Sequence, residues 1–177
     1  APFDRVPPAK YMAAGLMFAV SHADSARVAD YIQAHPEEFS REARYWSYVE
    51  THDTPYGPRL VVGGCGLSES IDKAKAAGDL PAKDRPGFVA FMSGGTQPGV
   101  FDFNAIFISR VDWTDSWAMT SASIEGRKQA KVLVEWLRKY IPGFERCELM
   151  ATAPVLSIRD SRRIVGDYVL QGSDILR

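Results

Sequence analysis

The sequence predicts an α+β fold, a mainly antiparallel sheet with two to three helices, on three observations. The run RPGFVAFMSGGTQPGVFDFNAIFIS holds two strand patterns, Phe88 to Ser93 and Val100 to Ile108, joined by a Gly/Pro loop as in a hairpin. A long amphipathic stripe follows, with Leu133, Val134, Leu137, Tyr140 and Ile141 on one side and Lys128, Lys131, Glu135 and Arg138 covering much of the other. Strands and helices alternate in mixed order while the best strand pair is a hairpin, which favours antiparallel pairing.

Taken in order, GLMFAVS (Gly15 to Ser21) is a short apolar run between turn formers and suits a buried strand. The period then changes: Val28, Tyr31 and Ile32 fall at helical spacing behind Asp24 or Ser25 as cap, and Pro36 stops a helix running from about Ser25 to His35. Residues 40 to 64 mix aromatics, charges and turn residues, with YGP marking a turn and RLVV a possible strand. GLSESIDKAKAAGDLP offers Ser68 as the cap of a short helix that Gly78 and Pro81 end. In the hairpin, Phe101, Phe103 and Ala105 share one face and Asp102 and Asn104 the other, so the pair covers a core on one side. The long helix spans about Ser121 to Tyr140, stopped by Pro142 and Gly143, and two strand candidates follow, Cys147 to Ala153 and Ile164 to Leu170.

With 177 residues the chain fits one domain, 1–177, and no repeat or linker divides it. The formal net charge of -1 gives no basis for a nucleic-acid or membrane-surface partner. Apolar runs near Met12 to Val20 and Phe101 to Ile108 fall well short of the roughly 20 residues a membrane helix needs, so a soluble chain is expected. The opening APFDRVPPAK has neither a basic start nor an apolar signal core, and it lacks an initiator Met. Processing or excision is the expected origin of this end, and the compartment stays open with the cytoplasm as default.

Cys65 and Cys147 are far apart and read as buried thiols, and His22, His35 and His52 are scattered. Neither a metal site nor a Ser/His/Asp set has local support, and no catalytic residue is nominated. The glycine cluster VVGGCGLSES (Val61 to Ser70) precedes a helix but lacks G-x-G-x-x-G spacing and a Walker lysine, so a plain glycine-rich turn is the stronger reading. Trp113 and Trp117 beside Asp112 and Asp115 either shape a pocket or close a core edge.

The densest chemistry lies between Ala151 and Leu170, where Arg159, Arg162 and Arg163 fall within five positions around Ser161. Their planar donor forks suit carboxylates and phosphates, which implies an acidic ligand or neighbour. The alternative is a solvated basic strand edge that discourages edge-to-edge pairing. Asn104 is either a hydrogen-bonding residue in a cleft or a plain exposed polar side chain.

The run TSASIEGRKQAKVLVEWLRKYIPGFERCELMATAPVLSIRDSRRIVGDYVL resembles the FAD-dependent oxidoreductases of the glutathione-reductase-like flavoprotein class, in which a similar helix leads to PGFE, AP and then R-SRRI-G-Y-L. VSHADSARVADYIQAHPEEF, GDLP, PGVFDFNA and VDWTD resemble the same family's middle region in the same order. That family opens with a strand–GxGxxG–helix unit for the FAD pyrophosphate and closes with a second FAD-contacting segment, and neither pattern occurs in this sequence. The resemblance therefore implies a substrate, or cap, region, inactive alone, belonging to an enzyme that passes hydride between a small organic substrate and flavin N5. The alternative is a non-catalytic interaction module, or a subunit whose flavin-binding part is another chain.

In the family the cap's sheet lies over the isoalloxazine ring. Carried over by position, Arg159, Ser161, Arg162 and Arg163 match its R-SRR and Gly166 its glycine. In a regular strand Arg159, Ser161 and Arg163 share a face, so the resemblance puts Arg159 with Arg163 against the flavin edge or an anionic substrate while Arg162 ties down the cap. Asn104 also matches, but where the family continues with Thr-Arg this chain has Ile106 and Phe107, which implies a less acidic ligand or Arg110 serving instead. The implied partners are a flavin-binding domain or subunit and a small-molecule substrate. A cap without its partner is expected to expose apolar surface and self-associate.

Overall fold

The structure, a computed structural model, describes residues 3–5, 7–42, 45–81, 88–93 and 97–175. Eight strands and four helices occur among them: β1 Phe3–Arg5, β2 Ala14–Ser21, α1 Ser25–Ala34, β3 Trp46–Thr54, β4 Gly57–Gly66, α2 Ser68–Ala76, β5 Val89–Ser93, β6 Phe101–Ile108, α3 Ser116–Tyr140, β7 Glu148–Thr152, β8 Arg162–Ile164 and α4 Gly172–Ile175. The main sheet has six strands in the order β3-β4-β5-β6-β2-β7, with every pairing antiparallel. The α+β class and antiparallel sheet expected from the hairpin are present.

Alternation along the strands creates two unlike faces. On one, Phe18, Phe91 and Phe103 pack in parallel, with ring centroids 5.0 Å apart for Phe18 and Phe103 and 5.7 Å for Phe91 and Phe103. Phe144, from the turn after α3, meets Phe101 edge-on at 5.1 Å. Val28 and Ile32 of α1, Ile71 of α2 and Leu133 and Leu137 of α3 join the same cluster, so the long helices cover this face. The other face carries Met17, Trp46 and Met92, all substantially exposed.

Residues 40 to 64, hard to read in sequence, contain the longest strand pair: β3 and β4 run in register from Trp46 opposite Cys65 to Thr54 opposite Gly57. The glycine cluster is therefore strand rather than turn. Gly63, Gly64 and Gly66 lie within β4 because neighbours fill the space of a side chain. A Cβ on Gly63 would sit 2.7 Å from the Tyr48 ring, and one on Gly66 would sit 2.3 Å from the Glu38 carbonyl oxygen.

Ser68 does not cap α2. The cap position is Leu67, in a left-handed conformation with φ 64°, and the helix is capped from elsewhere in the chain. The carboxylate of Glu38, 2 % exposed, accepts from the backbone N–H groups of Glu69 at 3.0 Å and Ser70 at 3.1 Å. It also accepts from the Ser70 hydroxyl and from the Tyr31 hydroxyl at 2.9 Å. Burial pushes the Tyr31 phenol well above its usual range, and the adjacent Glu38 charge adds to the shift.

Asp24 caps α1 through Ala26 and Arg27, as the sequence suggested. Helix α3 begins at Ser116 rather than Ser121, because Asp115 caps it through Trp117 at 2.8 Å and Ala118. Trp113 is 4 % exposed and closes the core edge, whereas Trp117 is 82 % exposed, so the two do not form a pocket.

The predicted strand Ile164 to Leu170 does not form. Only Arg162–Ile164 is strand, paired with β1 in a two-stranded ribbon, and residues 165–170 have no strand partner among the described residues. Alternating residues alone do not make a strand, since its backbone groups need a neighbour to bond. Residues 94–96, in the predicted hairpin loop, lie outside the described residues. No helix among the described residues is long and apolar enough to cross a membrane.

Replacing Glu38 strips one acceptor from several buried donors at once. Glu38→Ala is expected to cost about 3 kcal/mol of unfolding free energy in urea titration, and an unchanged midpoint would contradict this role. Cys147 is buried, and desolvation pushes its thiol up to about 11. Iodoacetamide at pH 8 should therefore modify Cys147 only after unfolding, which intact mass with peptide mapping will show; rapid native labelling would refute it.

Candidate functional site

The uncovered sheet face can be read row by row from the register, because directly paired residues of neighbouring strands share a face. Trp46 pairs with Cys65, Cys65 with Ala90, Ala90 with Asn104 and Asn104 with Met17. A flanking row holds Tyr48, Gly63, Met92, Asp102 and Ala19. Beyond a register shift between Leu16 and Met17, Gly15 pairs with Phe107. Phe107 stands 6.1 Å from Phe88 by ring centroid, extending the apolar lining.

Arg159 reaches this face through a break in β7. After Ala153 donates to the Met17 carbonyl at 2.8 Å, Pro154, which has no N–H to offer, interrupts the strand, and pairing resumes at Ser157. Ser157 and Gly15 exchange both backbone hydrogen bonds, at 2.8 and 3.2 Å. That bridge carries the chain over Gly15, so the continuous strand expected through residues 159–163 is absent: residues 158–161 are irregular and strand returns only at Arg162.

The consequence is a convergence of two residues far apart in sequence. The Cβ position of Gly15 lies 3.6 Å from Arg159 Nη2 and 3.8 Å from Asn104 Oδ1. Among the described residues neither side chain has a hydrogen-bond or ion-pair partner. Asn104 is half-buried and Arg159 exposed, so both keep their hydrogen-bonding capacity toward whatever occupies the open face.

The other nominated residues lie nearby or apart. Arg159, Ser161 and Arg162 line one shallow depression of about 470 Å³ together with Met12, Ile158 and the acidic Asp160. Arg162 is in β8 with its Cα opposite Arg5, and Arg163 is opposite Asp4; the side chain of Arg163 lies outside the described residues. Arg110 is exposed in the turn after β6, with φ 61°. Gly15 was not anticipated. Its signal was an apolar strand with a glycine at its start, directly before the buried run.

The fold and site together define an α+β domain whose antiparallel sheet is packed against helices on one side and open on the other, where among the described residues Asn104, Arg159 and Asp102 have no hydrogen-bond or ion-pair partner. The model of the FAD dependent oxidoreductase family matches residues 7–177, and the chain belongs to that family. No curated protein and no solved structure matches the chain.

The residues present fit one part of the family's cofactor. A flat ring with a polar edge suits an open face that is apolar over much of its area and polar beside Gly15. A pyrophosphate needs free N–H groups at a helix start, and here the chain's own carboxylates hold those positions on the long helices: Asp24 on α1, Glu38 on α2 and Asp115 on α3.

At ordinary contact distances a methyl group fits at Gly15. Gly15→Ala should shift the melting temperature by less than about 4 °C, with Arg159 yielding freely; a much larger drop would show that Arg159 is packed as a structural element.

Proposed function

We propose that this chain is the substrate-side, or cap, part of an FAD-dependent oxidoreductase, inactive without a flavin-binding domain or subunit. The observation that carries the reading is the meeting of Arg159 and Asn104 over Gly15, unpaired, on the sheet face that the helices leave open. Exposed Met17, Trp46 and Met92 support it, since apolar side chains grouped on one face mark a surface made to be covered.

In this reading the open face lies over the flavin ring and the bound substrate. Bound FAD supplies the hydride chemistry. The chain's own residues bind and orient: Arg159 donates its planar fork to an acceptor group of the ligand, Asn104 adds an amide donor or acceptor, and the apolar rows of the sheet exclude water from the contact. Ser161 and Arg162 border the adjoining depression, where they meet the edge of the ligand or the joining domain.

Recombination tests this. FAD mixed with the 177-residue chain alone should separate from it on gel filtration, and FAD absorbance should co-migrate with the chain once a flavin-binding domain of the same family is added as a second chain. Retention of FAD by the chain alone overturns the reading. Failure of the two chains to associate does so as well, and then favours a stand-alone interaction module.

A further inference from the structure

We infer that Trp46 and Tyr48 form a second subsite on the open face, so that the ligand is a flat, π-rich molecule with an anionic group at its far end. This rests on the reading of Arg159 and Asn104 as the polar anchor. Trp46 stands in the same row of the sheet as Asn104, through Cys65 and Ala90, and on the same face. Three strand spacings separate the ends of that row, about 14 Å, and the two intervening side chains are small.

The aromatic pair is built rather than incidental. Tyr48 lies down on β4, its ring filling the space a Cβ on Gly63 would need. Trp46 then stacks on Tyr48 with a centroid separation of 5.6 Å and an interplanar angle of 9°. Trp46 remains 43 % exposed, leaving indole surface uncovered at the edge of the small-residue floor. A flat ring gains most from such a surface, because offset stacking adds to the area it removes from water.

Charge sets the direction of the ligand. Beyond Tyr48 on the same face, Glu50 is bonded to His52 Nε2 at 2.8 Å, and Arg59, opposite His52, is itself engaged, so the cations at the aromatic end are already occupied whereas Arg159 is not. Asp102 lies in the flanking row, opposite Ala19, and confines an anion to the Gly15 side, where the Arg159 guanidinium waits. The polar and apolar ends of the site are thus fixed by the same register.

Calorimetric titration of the 177-residue chain with 6-(2-naphthyl)hexanoate and with dodecanoate, both long enough to reach from the aromatic pair to the anchor, tests the proposal. The naphthyl acid should bind at least about tenfold more tightly than dodecanoate. Trp46→Ala should abolish that preference, Trp46→Phe should restore part of it, and Arg159→Gln should weaken both acids, with circular dichroism confirming that each variant is folded. Equal binding of the two acids, with Arg159→Gln still weakening both, overturns the aromatic subsite and leaves the anchor standing. Binding of neither acid, or an Arg159→Gln variant that binds both normally, removes the anchor and this proposal together.

Discussion

The buried carboxylate of Glu38 is the interaction on which the arrangement of the helical layer depends. It comes from the short turn after α1, receives a hydroxyl from α1 through Tyr31, and closes the N-terminus of α2 through Glu69 and Ser70. Its backbone carbonyl accepts from Leu67 at 2.8 Å. A charge this deeply buried is tolerable only when several donors surround it. The requirement therefore fixes α1, the turn, the end of β4 and α2 in one relation.

The same interaction has a functional consequence. A glycine-rich strand running into a helix is the usual place for a bound phosphate, and in this chain a carboxylate of its own occupies that place. Asp24 and Asp115 do likewise at the other long helices. The N–H groups that a phosphate would need at these helix starts are thereby taken, and the proposed reading puts the ligand on the open face of the sheet. On that face lie the apolar side chains Met17, Trp46 and Met92, the unpaired Arg159 and Asn104, and the carboxylate of Asp102.

Much of the architecture was legible in the sequence because it follows from local rules. The β5–β6 hairpin, the alternation of Phe101 and Phe103 against Asp102 and Asn104, the Asp24 cap and the stop at Pro142 each depend on neighbours within a few residues. The stretch from 40 to 64 was not legible, since its glycines look like a turn until Tyr48, Phe39 and Glu38 are seen occupying the missing side-chain space. The segment 165–170 misled in the opposite sense, showing strand alternation without a strand to bond. Of the site residues, Arg159, Ser161 and Arg162 are recognisable as a group by charge density, while Gly15 shows only as the glycine at the head of an apolar run.

By itself, then, the sequence determined the fold class, most elements and the family, because periodicity, caps and turn residues act over short distances and the R-SRRI-G-Y-L pattern is specific. Only the tertiary structure decided which polar groups are already consumed and which remain free. Glu38 and Asn104 look equally available in a string of letters. The fold buries the first among four donors and leaves the second beside Arg159 on an open face, because strand register and a break at Pro154, neither of them local, bring residues 15, 104 and 159 to one point.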